Sequence, residues 1–232
     1  LLYLVATPIG NLGDITLRAL EVLKSADVIA AEDTRHSGNL LRHYAIQKPM
    51  VSYHEHNEAM RTAELLERLK EGQSVAVITD AGMPGISDPG QRLLRACIGN
   101  GIPYTVIPGP SSVPTALVGS GFPAEQFFFG GFLPSKSGQR EREVLAAGRR
   151  AETSIFFESP YRLVKTLEVF RAHFPARQLC VARELTKQFE EYRPGVAEEL
   201  AAHFTAHPPK GEIVLLVCGL SRQERRQLEK QG

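Results

Sequence analysis

Apolar residues along this chain fall into two recurring patterns: short continuous runs, and longer stretches with helical spacing. Five runs, LYLVA (2–6), DVIAA (27–31), MVSY (50–53), SVAVIT (74–79) and YTVI (104–107), are strand-sized and apolar without strict alternation. Such runs predict strands buried on both faces. Between the first two, Leu17, Leu20 and Leu23 recur at helical spacing after Thr16, a residue suited to cap a helix. Further helices are predicted near 35–44 and at 58–71. In the latter, Leu65, Leu66 and Leu69 share a face and Gly72 stops the run. Another helix follows Gly90 and ends at Gly99–Gly101, and one more starts after PGPSS. Apolar strands separated by helices indicate a parallel α/β sheet.

Near 119–123 the stretch GSGFP breaks this rhythm. A second series follows: QFFFGGF, a charged helix at 139–150, TSIFFE, a helix at 160–173, QLCVAREL, a helix at 195–206, and GEIVLLVCG. This half has fewer crossovers, so a mixed sheet is expected. The fold class is therefore α/β, with two α/β domains joined near 110–124: 1–112 and 113–220. The charged tail 221–232 has no partner element and reads as a solvated helix end or a truncated segment.

Composition narrows the setting. No apolar run in the 232 residues approaches the roughly 18–20 needed to span a bilayer. No basic segment followed by an apolar stretch suggests a signal peptide. The chain begins at Leu1 rather than Met, so a natural start further upstream is expected. Its 3 cysteines, Cys97, Cys180 and Cys218, are widely spaced in apolar contexts. An odd count without a CxxC motif points to a reducing, cytoplasmic setting, to buried thiols and away from a metal site. The net charge of +1 gives no global nucleic-acid signature, so any RNA contact must come from a local patch.

Chemistry is concentrated in four loops. ATPIGNLGDIT follows the first strand, AEDTR the second, TDAGMPGISDPG the fourth and PGPSS the fifth. In an open α/β sheet, ligands collect beyond the carboxyl ends of the strands, where all four loops fall. Glycine lets backbone approach a ligand closely, and proline fixes its neighbours. Such loops present rigid N–H and C=O groups in place of long side chains. A single one could be a tight turn without a ligand; four on one edge indicate a ligand pocket. No GxxxxGK[ST], no GxGxxG after the first strand and no GxSxG is present, which sets aside a P-loop, an ordinary dinucleotide fold and a hydrolase elbow. Asp80 and Asp88 disfavour a triphosphate bound without metal.

Several long motifs carry a resemblance. The stretch from LYLVATPIGNLGD through AEDTRHSGNLL, then HEHNE, VITDAGMPGISDPG, PGPSS and GGFLPSK, occurs in the order found in bacterial small-subunit ribosomal RNA cytidine 2′-O-methyltransferases. These belong to the tetrapyrrole methylase-like superfamily. ARELTK and KGEIVLLV extend the resemblance, which covers 2 to about 218. It implies S-adenosylmethionine held in a cleft between two α/β domains, in a fold unlike the Rossmann-like methyltransferases. It further implies a homodimer acting on small-subunit ribosomal RNA or the assembled 30S subunit, and further residues beyond the tail seen here. The superfamily's cofactor contacts map onto Pro8, Ile9, Asp80, Ala81, Gly82, Met83, Pro110, Ser111, Ser112, Phe157, Ala182, Lys210 and Gly211. Met83 stands where many relatives carry Thr.

A ribose hydroxyl needs a base, or a cation that stabilises the developing alkoxide. The sequence offers Glu32, Asp33, Arg35, His54, His56 and Lys136 without choosing among them. Asp33 or Thr34 could equally cap a helix. His54 and His56, two apart, would face one side of a strand, with no third ligand for a metal. Arg140, Arg142, Arg149 and Arg150 lie on a charged helix, either a solvated face or a set of phosphate contacts. Two other functions stay open: methylation of a small tetrapyrrole on the same scaffold, and a ribosome-binding module without catalysis.

Overall fold

The computed structural model describes residues 1–221 and Glu224; the tail expectation for 221–232 thus lies almost wholly outside the described residues. The chain divides into two compact units, Leu1–Ser111 and Ser112–Gly232.

In the first unit, β1 (Leu2–Val5), β2 (Val28–Ala31), β3 (Met50–Ser52), β4 (Val75–Ile78) and β5 (Tyr104–Ile107) form one sheet in the order β3-β2-β4-β1-β5. Every pairing is parallel. The three central strands β2, β4 and β1 are covered on both faces, and residue parity shows how; the edge strand β5, expected to be buried as well, is exposed from Tyr104 to Val106. Val5, Ile29, Ala31, Ala76 and Ile78 pack with Ala19 and Leu23 of α1 (Leu17–Ser25) and Leu41 of α2 (Thr34–His43). Their sequence neighbours Leu4, Val28, Ala30, Val75 and Val77 pack with Leu65 and Leu69 of α3 (Glu58–Lys70) and Leu93 and Cys97 of α4 (Gln91–Gly99). A strand with both faces buried must be apolar at every position, which explains the unalternating runs. Local signals set the helix ends. The Thr16 side chain accepts the Ala19 N–H at the start of α1, and Asp33 accepts the Arg35 N–H at the start of α2. After α3 the chain turns through Gly72 at φ +89°.

In the second unit, α5 (Ser112–Ser120) is followed by β6 (Phe127–Phe132), α6 (Ser137–Arg149), β7 (Thr153–Glu158), α7 (Leu163–His173), β8 (Gln178–Arg183), β9 (Glu191–Val196), α8 (Ala197–Ala206) and β10 (Ile213–Val217). The sheet order is β6-β7-β10-β8-β9. Only β6 and β7 run parallel; the remaining pairs are antiparallel, so the sheet is mixed as expected. Phe156, Val181, Leu215 and Val217 bury one face under α6, α7 and α8, through Val144, Leu167, Phe170 and Phe204. The helix α5 packs against β8, β9 and β10 and is absent from that cluster.

Two expectations need correction. The third strand ends at Ser52, so Tyr53 is outside it. Its N–H still donates to the Ala31 carbonyl of β2 (2.8 Å), while its ring is buried and its hydroxyl bonds Glu58 and Thr62 of α3. The strand β9 was not expected. EYRPGV lacks alternation and contains Pro194 and Gly195, which weaken a strand reading. It forms at the sheet edge, where proline is tolerated, and it delays the last predicted helix from 195 to Ala197.

Candidate active site

The carboxyl edge of the first unit's sheet is laced together by its own backbone. Beyond β1, the Thr7 N–H donates to the Gly82 carbonyl (2.9 Å) and the Gly82 N–H donates to the Thr7 carbonyl (3.0 Å). The Thr7 hydroxyl also donates to the Thr79 carbonyl (3.0 Å). Gly82 has φ +85°, and a Cβ there would sit 3.4 Å from Ile9 and 3.8 Å from the Pro110 carbonyl. Three loops therefore converge on one glycine. Gly109 is held by closeness instead: its added Cβ would lie 2.9 Å from the Ala6 Cβ.

The rest of TDAGMPGISDPG closes on itself. The Ile86 N–H donates to Met83 and the Gly85 N–H to Pro89. The Gly90 N–H donates to Glu58 Oε1 (3.2 Å), which also accepts the Tyr53 hydroxyl. The density of glycine and proline in this loop thus produces a fixed backbone surface. Pro8, Ile9, Asp80, Ala81, Gly82, Met83 and Pro110 lie together along these loops, and Ser111 ends the unit. Gly82 is required by its positive φ, since an added Cβ would meet Ile9 and the Pro110 carbonyl only at ordinary contact distance.

AEDTR is tied to the same loop by exchange. The Asp80 N–H donates to Glu32 Oε2 (3.3 Å), and the Asp33 N–H donates to Asp80 Oδ1 (3.2 Å). Burial pushes the Glu32 carboxyl above its ordinary value, and the charges of Asp80 and Asp33 add to this, against the Asp80 N–H and His54. Asp33 differs. Its carboxylate accepts Arg35 Nε and Nη2 (3.3 and 2.9 Å) and the Arg35 N–H (2.8 Å), which holds it down at about 2. Two adjacent acids thus separate: a half-buried, more basic Glu32 and a capping Asp33 engaged with an exposed Arg35.

His54 and His56 do not share a strand face, because both lie past the end of β3 in the turn before α3. Their rings meet edge to face at 5.9 Å. Asn57 orders this turn: its Oδ1 accepts the His54 N–H (2.9 Å), and its Nδ2 approaches His54 Nε2 (3.1 Å) and the Ser52 carbonyl (3.2 Å). Among the described residues, no group of three or more His, Cys, Asp or Glu side chains is placed to hold a metal.

A cavity of about 130 Å³ opens beside Asp80. Its buried floor is Thr7, Ser37, Leu40 and Thr79, and its exposed mouth is Leu12, His36 and Asn39. None of these was singled out from sequence. Thr79 closes an apolar run, but nothing distinguishes Ser37 from any serine on a helix.

In the second unit, Phe157 and Ala182 occupy one row of the sheet, each paired with Val214. Phe157 packs against Phe129 and Phe132. Lys210 is exposed beside Gly211, whose φ is +82° and whose added Cβ would lie 2.1 Å from Glu184 Oε1. The Glu184 carboxylate in turn accepts Lys187 Nζ (2.9 Å) and the Glu212 N–H (3.0 Å), tying ARELTK to KGE. Ser112 opens α5, and Lys136 stands exposed at the start of α6. The four arginines separate. Arg142 and Arg149 are exposed, whereas Arg140 is buried and donates to the Pro134 and Ser135 carbonyls. Arg150 lies 3.7 Å over the Phe128 ring. Arg140 therefore belongs neither to a solvated face nor to a phosphate set; it holds the loop that carries Lys136.

Against known proteins, a family model described as tetrapyrrole (corrin/porphyrin) methylases matches residues 1–201. The ribosomal RNA small subunit methyltransferase I of Mesorhizobium japonicum is 51% identical over 218 residues, covering 93% of this chain and 74% of that protein. The protein of the same name from Synechocystis sp. is 46% identical over 226 residues, covering 97% and 81%. Among solved structures, the uroporphyrin-III-C-methyltransferase from Thermus thermophilus superposes with a TM-score of 0.67 at 24% identity, over 99% of this chain and 97% of that one. That last likeness is one of fold.

Proposed function

The chain belongs to the tetrapyrrole (corrin/porphyrin) methylase family, and we propose that within it the chain methylates the ribose 2′-hydroxyl of a cytidine in small-subunit ribosomal RNA, with S-adenosylmethionine as donor. The observation that carries the chemistry is the junction at Asp80, where a glycine backbone cradle meets a carboxyl of raised pKa. The relatives named for ribosomal RNA methylation support the substrate.

When bound, S-adenosylmethionine supplies a methyl group on a positively charged sulfur and departs as a neutral thioether. The O–CH₃ bond forms as the C–S bond breaks, and the hydroxyl proton passes to a carboxylate. We assign that carboxylate to Glu32. Its raised pKa makes it a better proton acceptor than Asp33, held at about 2 by Arg35. The backbone around Gly82, with Pro8, Ile9, Ala81, Met83 and Pro110, holds the donor. Alignment of oxygen, carbon and sulfur in such a cradle contributes up to roughly 7–11 kcal/mol in the best-oriented systems. The exposed guanidinium of Arg35 holds a phosphate or the substrate's ribose edge. His54 lies near enough to Glu32 to bias its charge. In the second unit, Lys136, Arg142 and Arg149 meet RNA phosphates. The proposal includes a homodimer working in the cytoplasm, and no metal.

The test is transfer of labelled methyl groups to purified small subunits and to free ribosomal RNA, mapped by mass spectrometry. One ribose-methylated cytidine is expected. Label on a base, or only on a small tetrapyrrole, overturns the assignment.

A further inference from the structure

We infer that the carboxyl edge of the second unit's sheet is a stacking platform for an unpaired stretch of the RNA substrate, with Phe132, Tyr161 and Phe189 as its rings. The inference rests on the proposed RNA methylation and names the form in which the RNA is recognised.

Topology brings the rings together. β6 and β7 run parallel, and β8 shares their direction because β10 is antiparallel to both β7 and β8. The ends of β6, β7 and β8 therefore lie on one edge, with the start of β10 between the last two. Phe132 ends β6, Tyr161 follows β7 and Phe189 follows β8. They are 61%, 92% and 64% exposed, more than any other phenylalanine or tyrosine among the described residues. Single exposed apolar side chains are ordinary; the three most exposed rings on one edge of one sheet mark an interaction surface.

The rings are also held in place. Phe132 packs edge to face on Phe157, with centroids 5.2 Å apart. Tyr161 sits in a turn fixed by buried Glu158, which accepts the Ser159 N–H (2.6 Å) and Arg162 Nε (3.0 Å). Phe189 belongs to a loop in which Glu184 and Thr186 take positive φ, +51° and +64°, and Glu190 accepts the Thr186 N–H (2.5 Å). Non-glycine residues keep such a backbone only where their surroundings impose it. Rings fixed in this way lose little freedom when a flat partner settles on them.

Charge selects that partner. Lys136 follows Phe132 in the loop after β6, and Lys210 precedes β10. Both are exposed, without an ionic partner among the described residues. The neighbouring cations are paired instead, Arg162 with Glu158 and Lys187 with Glu184 and Glu212. Rings interleaved with unpaired ammonium groups suit a single strand of RNA, whose bases stack on the rings while its phosphates meet the cations. A duplex keeps its base faces stacked on one another and offers the rings nothing.

The test uses the full chain and a single-stranded RNA of mixed sequence carrying 2-aminopurine, whose fluorescence is quenched by stacking on a ring. The same RNA annealed to its complement is the control. The parent should bind the single strand with quenching, and more tightly than the duplex. Tyr161→Ala with Phe189→Ala should weaken single-strand binding at least about tenfold and remove most of the quenching, at an unchanged melting temperature. Tyr161→Phe, which keeps the ring, should bind as the parent does. If the double variant melts early, Phe132→Leu, which keeps an apolar contact on Phe157, decides by the same loss. Ring-less variants that bind and quench as the parent does overturn the inference, as does a parent that prefers the duplex. A double variant that turns from dimer to monomer in sedimentation, with quenching unaltered, gives the rings to a second copy of this chain and overturns it too. Methyl transfer to small subunits is measured apart: its absence in the parent sinks the functional reading, while binding and quenching still decide the platform.

Discussion

The two units present their motif-bearing edges by opposite means. At the first unit's edge, loops are joined through main-chain N–H groups: Thr7 and Gly82 bond backbone to backbone, and the Asp33 and Asp80 N–H groups donate to the carboxylates of Asp80 and Glu32. At the second unit's edge, charge joins the end of β8 to the segment before β10 and to β9, and the end of β7 to α7. Buried Glu158 accepts Arg162 Nε (3.0 Å) and the Thr166 hydroxyl (2.6 Å); Glu184 binds Lys187; Glu191 binds Arg183 and Arg193. Parallel strands all end on one side, so the first unit's loops come close enough for their main-chain N–H groups to reach one another's carbonyls and carboxylates. The antiparallel sheet brings strand starts and ends together, and long charged side chains span the gaps. The first edge is the one proposed to hold the methyl donor. The second is rigid only while its charges are paired.

Changes that strike each device should separate them. The largest effect is expected from Gly82→Val, which forces a β-branched residue to positive φ in the Thr7 bridge and fills the cradle. Calorimetry should find S-adenosylmethionine binding abolished; undiminished binding in a folded variant would remove this loop from the pocket. Next comes Glu158→Ala, which strands Arg162 and Thr166 around a fully buried position. Breaking such a pair costs about 3 kcal/mol or more. Urea titration should show that loss, with Glu158→Gln recovering part of it.

Within the first edge, Glu32→Gln should slow single-turnover methylation about 10²-fold, with Asp33→Asn near normal. Equal rates for the two variants and the parent would refute the assignment. Glu32→Gln should also raise the melting temperature at neutral pH. The folded state raises the Glu32 pKa, so Glu32 favours folding below the ordinary carboxylate range and opposes it as pH rises through the folded value. Glu184 and Glu191 have the opposite sign. Burial raises both, but their cationic partners outweigh it and hold both below the ordinary value. Their contribution is complete above that value and is lost as pH falls through the lowered one. Acid titration below about pH 4 should therefore loosen ARELTK and KGE while relieving Glu32. Asp33, held at about 2, joins the loss only in stronger acid. The smallest effect is expected from Arg142→Gln with Arg149→Gln: a salt slope for RNA binding reduced by about two. Arg140→Gln should instead destabilise α6, because Arg140 serves the Pro134–Ser135 carbonyls.

Much of the first unit was legible because its three central strands are apolar at every position, a pattern few other arrangements require. The clustering of its glycines at strand ends made the edge visible as well. The second unit hid β9, since an edge strand can carry Pro194 and Gly195 without losing its place. Side-chain roles were harder to read. AEDTR shows two acids and an arginine, but only the fold makes Asp33 the cap and leaves Glu32 half-buried against Asp80. Four arginines on one helical stretch looked alike until Arg140 turned inward.

The place of β4 between β2 and β1 has a consequence for how the chain is made. The first strand has no partner among the next two; its neighbours are β4 and β5. Leu2, Leu4 and Val5 must therefore wait until the chain has been synthesised through Ile78 before β1 can enter a sheet. At about 5–20 residues per second, that leaves an apolar segment unpaired for several seconds at the ribosome. The β2–β3 pair can form earlier. The Thr7–Gly82 bridge comes later still, so the cradle closes only after β4 has slotted in. A nascent chain stalled before Val75 should be a strong chaperone client, and releasing it a few residues beyond Gly82 should end that dependence for this strand.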